Sequence, residues 1–153
     1  MKNKTKKALR GLAVATAAAG ISISTLSGTA QAVEYRYGEC ERTASGWCDP
    51  SHHLNLFYNT KAYGYGASSA FLGNIYNYNN GKIVYVFGGT NNGAGQGQAV
   101  KNNAGHGCVD STWAKYRVYY NSGYSGVSQE FGPNTCKDLN SSLHNNNASQ
   151  RGL

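Results

Sequence analysis

Acidic residues are scarce in this chain, with seven Asp and Glu against fourteen Lys and Arg among 153 residues. Methionine occurs once, proline twice and tryptophan twice, and Leu and Ile are few. So few carboxylates leave little from which to assemble an acid–base pair, and none can be paired by spacing alone. Neither H-E-x-x-H nor G-x-S-x-G occurs, which removes the zinc-peptidase helix and the nucleophile elbow. With the cysteines expected to be oxidised as well, an enzyme is not expected, and no window past the first thirty residues sustains a helical period, so long helices are not expected either. No apolar run reaches the roughly 20 residues that a bilayer core demands, so no membrane-spanning helix is expected.

The first thirty-two residues have their own logic. Lys2, Lys4, Lys6, Lys7 and Arg10 form a positive start, 11–23 is apolar, and Thr29-Ala30-Gln31-Ala32 supplies small residues at a cleavage point. The expectation is an export signal, 1–32, removed after Ala32, and a secreted, extracellular product. Five cations leave with it. From Val33 onward nine cations face seven acids, a net of +2. A basic isoelectric point therefore argues for neither nucleic acid nor anionic lipid as a partner.

What is abundant is aromatic and turn-forming. The exported part carries all twelve Tyr, with seventeen Gly and sixteen Asn. Tyr fills a core with its ring while its hydroxyl reaches the rim, and Gly and Asn accept the backbone conformations of tight turns. One all-β domain of short strands follows, preceded by a cysteine-containing leader, 33–53. Expected strands cover 54–58, 69–72, 82–87, 115–120 and 127–131, the last two forming a hairpin across Asn121-Ser122-Gly123. Cys40, Cys48, Cys108 and Cys136 lie in the exported part, an even count that points to two disulfides. Three connectivities are open. Cys40–Cys48 with Cys108–Cys136 is expected, because each pair brackets one local unit. No zinc-ligand spacing is present.

The chain also repeats itself. Leu56-Phe57-Tyr58-Asn59, then Tyr63-Gly64, then Phe71 parallels Val118-Tyr119-Tyr120-Asn121, then Tyr124-Ser125-Gly126, then Phe131. Each copy closes on asparagines, at 101–106 and 145–150. Two Greek-key repeats, 54–107 and 115–150, packed as a sandwich within 54–153, are expected.

Tyr119-x-x-x-x-Tyr124-x-Gly126 is similar to the folded-hairpin signature of βγ-crystallin domains. Copy one departs from it, with Tyr65 standing where the glycine belongs unless Gly66 substitutes. The Leu-x-Leu-Phe-Tyr-Asn start at Leu54, the run 95–104 and the close at Asn146-Asn147-Ala148-Ser149 further resemble the secreted actinobacterial proteins of peptidase inhibitor family I36. That resemblance implies a monomeric, disulfide-braced βγ-crystallin-like sandwich that inhibits an extracellular metalloprotease and requires no cofactor.

Three binding readings follow. An inhibitor needs a rigid, extended loop whose ordering cost precedes binding. The segment 107–113 between the repeats, anchored by Cys108, would offer the Cys108–Val109 peptide, with Val109 suited to the apolar pocket of thermolysin-like enzymes. The alternative is an ordinary linker with a structural cystine. The resemblance also implies a calcium motif, and Asn145, Asn146 and Ser149 match it with Gln150 in place of its last serine. Oxygen donors suit Ca²⁺, although asparagines closing turns explain the same pattern. Finally, Tyr63, Tyr65, Tyr76 and Tyr78 beside many Asn would stack on the sugars of a cell-wall glycan, unless they pack the sandwich. His52-His53, in a polar turn, is expected on the solvated surface.

Overall fold

The computed structural model describes residues 31–39 and 53–153. Residues 1–30 of the expected export signal, with Cys40, Cys48 and His52, lie outside the described residues.

Nine strands and one 3-10 turn form the described part: β1 (Glu34–Arg36), β2 (Leu54–Phe57), the turn Lys61–Tyr63, β3 (Ser68–Phe71), β4 (Ile83–Tyr85), β5 (His106–Val109), β6 (Tyr116–Asn121), β7 (Ser125–Phe131), β8 (Thr135–Asp138) and β9 (Ser149–Gly152). One sheet has the order β3-β2-β5-β8, a second β7-β6-β9, and β1 pairs in parallel with β4. β8 belongs to the second repeat by sequence, yet it completes the sheet of the first. Reciprocally, Ile75 of the first repeat bridges antiparallel to Gln150 of β9, and Tyr78 N donates to Ala148 O at 3.0 Å. Each sheet thus takes its fourth member from the other repeat. The architecture is all-β, with two intercalated Greek keys braced by the Cys108–Cys136 disulfide, and it is the βγ-crystallin-like sandwich that the sequence implied.

The repeats obey a local twofold relation. Gly105 N donates to Phe57 O at 2.9 Å, and Ala148 N donates to Tyr119 O at 2.9 Å. Register matches as well, with Phe57 opposite His106 and Tyr119 opposite Ser149. At the axis Asn102 N donates to Asn147 O at 2.8 Å, while Asn145 N donates to Ala104 O at 3.0 Å. Asn102 and Asn145 both adopt the left-handed conformation, φ 62° and 58°, which asparagine tolerates better than most residues.

The two hairpins correspond, in a register different from the expected one. Tyr124 has φ 59° and its ring lies 6.1 Å from that of Tyr119. In the first copy Tyr65, φ 63°, takes that place, with its ring 5.4 Å from Phe57. Tyr63, the expected aromatic, stands on the 3-10 turn and is 79% exposed. The inserted residues are absorbed as that turn, and Gly66 at φ 71° supplies the conformation that Gly126 supplies at 79°.

Alternating side chains of both sheets meet in one core, including Leu54, Leu56, Phe71, Val109, Tyr116, Val118 and Phe131. Gly107 interrupts β5 because a Cβ there would come within 2.8 Å of the Phe131 ring. His53 is buried, not solvated, and the leader is not wholly irregular, since it contains β1.

Two polar devices hold the second repeat. Ser149 Oγ donates to Asn121 O at 2.6 Å and accepts from Tyr124 N at 3.2 Å, which locks the hairpin. The hydroxyl of the fully buried Tyr78 donates to Gln150 Oε1 at 2.8 Å, and Gln150 Nε2 donates to Gly73 O at 3.1 Å. Burial raises the Tyr78 phenol well above its ordinary value, and burial with the neighbouring Glu39 carboxylate pushes Tyr85 up to about 12.

Ser149→Ala is expected to lower stability by about 1–3 kcal/mol, because two polar backbone atoms lose a buried partner; denaturant unfolding measures it. A phenol whose folded value is raised contributes stability that is complete below its unfolded value near 10 and lost as pH rises through the folded value. Unfolding midpoints should therefore hold steady to about pH 10 and fall between there and pH 12, and Tyr78→Phe should flatten that fall.

Candidate binding surfaces

Three places bring polar or exposed aromatic groups together: a loop, a pair of clefts, and a cluster on the outer face of β5 and β8.

The inhibitory loop is not where the sequence put it. Cys108 and Val109 lie in β5, an inner strand of the four-stranded sheet, and Val109 is fully buried. β2 and β8 flank them, with Val109 opposite Leu54 on one side and Thr135 on the other. A paired, buried peptide cannot extend into a protease cleft. The exposed loop begins one residue later, at 110–115. Ser111 is buried at its base, and Ser111 Oγ accepts from Trp113 N at 3.3 Å and Ala114 N at 3.0 Å. Asn134 N donates to Ser111 O at 2.9 Å, and Leu153 N donates to Lys115 O at 3.0 Å. At the top of this pinned turn Trp113 is 69% exposed. Serine closing its own turn is an ordinary local signal, which the sequence reading passed over in favour of the residue beside the cysteine.

The local twofold produces two related clefts. One, of about 230 Å³, is lined by Lys101, Asn102, Asn121, Ser122 and Asn146. The other, of about 320 Å³, is lined by the counterparts His144, Asn145, Asn59, Thr60 and Asn103, with the exposed Tyr63 as a wall. Neither has a carboxylate in its lining. In the first, Lys101 Nζ donates to Asn77 Oδ1 at 3.0 Å and Ser122 Oγ at 3.3 Å, so an ammonium already sits among the oxygens. The expected calcium set is divided by this arrangement. Asn145 faces one cleft, Asn146 lines the other, and the Ser149 hydroxyl is engaged in the hairpin lock. These three residues do not line one cleft. Gln150, expected beside that set, instead ties repeat one to β9. Of the four tyrosines expected to face a glycan, Tyr63 and Tyr76 are exposed, Tyr65 is half-buried under Phe57 and His106, and Tyr78 is core.

The third place joins His106 and Cys108 on β5 to Cys136 and Asp138 on β8. Residues two apart on a strand share a face, and the register sets His106 opposite Asp138 and Cys108 opposite Cys136. The disulfide closes across the strands with a Cα–Cα distance of 4.1 Å. His106 Nδ1 lies 2.6 Å from Asp138 Oδ1, and Nε2 lies 3.5 Å from Cys108 Sγ. The imidazole is buried, its ring 4.9 Å from that of Tyr65 and 5.6 Å from Phe57, while Cys136 and Asp138 are exposed. The hydrogen bond from His106, aided by that from Lys61 N, holds the Asp138 carboxyl below its ordinary value. A sulfur in a disulfide is no nucleophile, so this arrangement is not a working thiol triad. Glu34 and Glu39 pair with Arg36, and Glu130 pairs with Arg117. Asp110 alone among the described Asp and Glu side chains stands outside such ion pairs.

No protein-family model and no curated protein matches the chain. Two solved structures are similar to it. One is described as "Evolution of the eye lens beta-gamma-crystallin domain fold", with 12% identity and a TM-score of 0.47, covering 67% of this chain and 86% of that chain. The other is the N-terminal domain of Protein S, with 20% identity and a TM-score of 0.44, covering 66% of this chain and 94% of that chain. The fold assignment rests on the exchanged strands and the paired hairpins.

Closing a segment with a sequence separation of 28, the Cys108–Cys136 bridge is worth about 3.5 kcal/mol on loop entropy. The double substitution Cys108→Ala with Cys136→Ala is expected to lower unfolding stability by up to that amount, read from denaturant midpoints.

Proposed function

We propose that the protein is a secreted, non-enzymatic binding module that inhibits an extracellular peptidase through loop 110–115. One observation carries the reading: a large exposed aromatic, Trp113, stands on a turn already fixed by Ser111 and Asn134, one residue beyond a strand that ends beside a disulfide. A fixed loop loses little entropy on docking, and tryptophan at the centre of a contact is the residue type that most often dominates its energy. The resemblance to family I36 makes a metalloprotease the target to assay first. Its apolar subsites suit an indole as well as they suit the valine first considered. Four of the five described Asp and Glu side chains are ion-paired and both described cysteines are bridged, which supports a role in binding over catalysis.

The exposed Tyr63 beside Asn59, Asn103 and Asn145 favours a second reading, a cell-wall glycan bound in the larger cleft. Aromatic faces stack on sugar rings, and amides hydrogen-bond to their hydroxyls.

The oxidised chain from Val33 should inhibit a thermolysin-like protease stoichiometrically, and Trp113→Ala should weaken inhibition about thirty-fold or more. Absence of inhibition at micromolar protein, or equal inhibition by Trp113→Ala, overturns the loop reading. Sedimentation with peptidoglycan or chitin, lost in Tyr63→Ala, would then favour the cleft.

A further inference from the structure

The cluster on β5 and β8 has more order than a disulfide brace needs. His106 is buried with Nδ1 directed at Asp138, so that nitrogen carries the proton of their bond and Nε2 is directed at Cys108 Sγ. The donor atoms of His106, Cys108 and Cys136 lie within 4.8 Å of one another. We propose that opening the Cys108–Cys136 disulfide turns this cluster into a zinc site, with Cys108 Sγ, Cys136 Sγ and His106 Nε2 as ligands and Asp138 as the carboxylate that holds the imidazole.

The geometry suits that ion. Zn–S bonds near 2.3 Å and Zn–N bonds near 2.0–2.1 Å at a tetrahedral angle place sulfur and nitrogen about 3.5 Å apart. Cys108 Sγ and His106 Nε2 are 3.5 Å apart already. Two thiolates with one imidazole favour zinc over the hard cations, which prefer oxygen. Zinc-bound histidine commonly donates its other ring proton to a carboxylate, and the 2.6 Å bond to Asp138 supplies that partner without rearrangement. Tyr65 and Phe57 pack against the imidazole and fix its plane. Cys136 is exposed on an edge strand, which gives reductant and metal a path in.

The chemistry balances with a small thiol as reductant. Two RSH become RSSR as the Cys108–Cys136 bond breaks, and each protein sulfur takes one proton. Zn²⁺ then binds the two sulfurs as thiolates and releases those two protons, leaving a neutral core with a fourth position for water. Zinc and disulfide are thus alternative cross-links between the same two strands, chosen by the thiol balance outside.

The test uses the chain from Val33 carrying Cys40→Ser and Cys48→Ser, so that the other cysteines cannot contribute. Zinc chloride is titrated against a chromophoric chelator into oxidised protein and into protein reduced with a phosphine, and cobalt(II) reports coordination by its absorption. The expected result is one zinc per reduced chain, none per oxidised chain, and a tetrahedral sulfur–nitrogen cobalt spectrum. Asp138→Asn should weaken zinc about 10–100-fold, and Cys108→Ser should abolish binding. His106→Gln keeps both thiols and separates a built site from two loose sulfurs. Affinity equal to that of the parent in this variant, or no zinc in the reduced parent, overturns the proposal.

Discussion

Two backbone hydrogen bonds, from Asn102 N to Asn147 O and from Asn145 N to Ala104 O, join the repeats at their local axis. Asparagine in the left-handed conformation turns the chain there in both copies, and each turn feeds a strand, β5 or β9, in beside the hairpin of its sheet. Once those strands are placed, β8 and the segment at Ile75 have one sheet edge each to complete, and each completes that of the other repeat. Neither Greek key can close its sheet alone. Halves that look separable in sequence therefore depend on each other to complete their sheets.

The local twofold also explains how one scaffold yields different chemistry at matching points. Ser149 and His106 occupy equivalent positions, each opposite the hairpin aromatic of its repeat. In the second copy a small hydroxyl bonds the hairpin backbone directly. In the first copy the turn is longer, and an imidazole fills the space beneath Tyr65 with its edge. That larger side chain reaches past the hairpin to β8, where Asp138 receives it. The same divergence separates Lys101, an ammonium among amides, from His144 in the matching cleft.

Much of the fold was legible in the sequence, and the reasons differ by element. β2, β3, β6 and β7 announce themselves by apolar alternation or by the Asn-Ser-Gly turn between them. β5 does not, because His106-Gly107-Cys108-Val109 contains a glycine required by the Phe131 ring and a histidine, neither a strand-former by type. β8 is largely exposed, so hydrophobic patterning has nothing to register. Missing those two strands moved the supposed loop onto Cys108 and Val109, which are interior. The pairing of Cys108 with Cys136 survived because it rested on local bracketing. The calcium set is divided for another reason: the adjacent Asn145 and Asn146 line different clefts, and spacing alone does not reveal which cleft each serves.

The cluster at His106 shows why zinc spacings in sequence were silent. Sequence templates describe ligands delivered by tight turns, two or four residues apart. Here the ligands come from two antiparallel strands, as His-x-Cys on β5 and Cys-x-Asp on β8, separated by the whole of β6 and β7. Alternation puts both pairs on one face and register puts them side by side, so the convergence follows from strand pairing rather than from any motif. A disulfide uses only the two sulfurs of that convergence. The imidazole held by a carboxylate and aimed at one of them is the part that cross-linking leaves unexplained and that metal coordination uses in full.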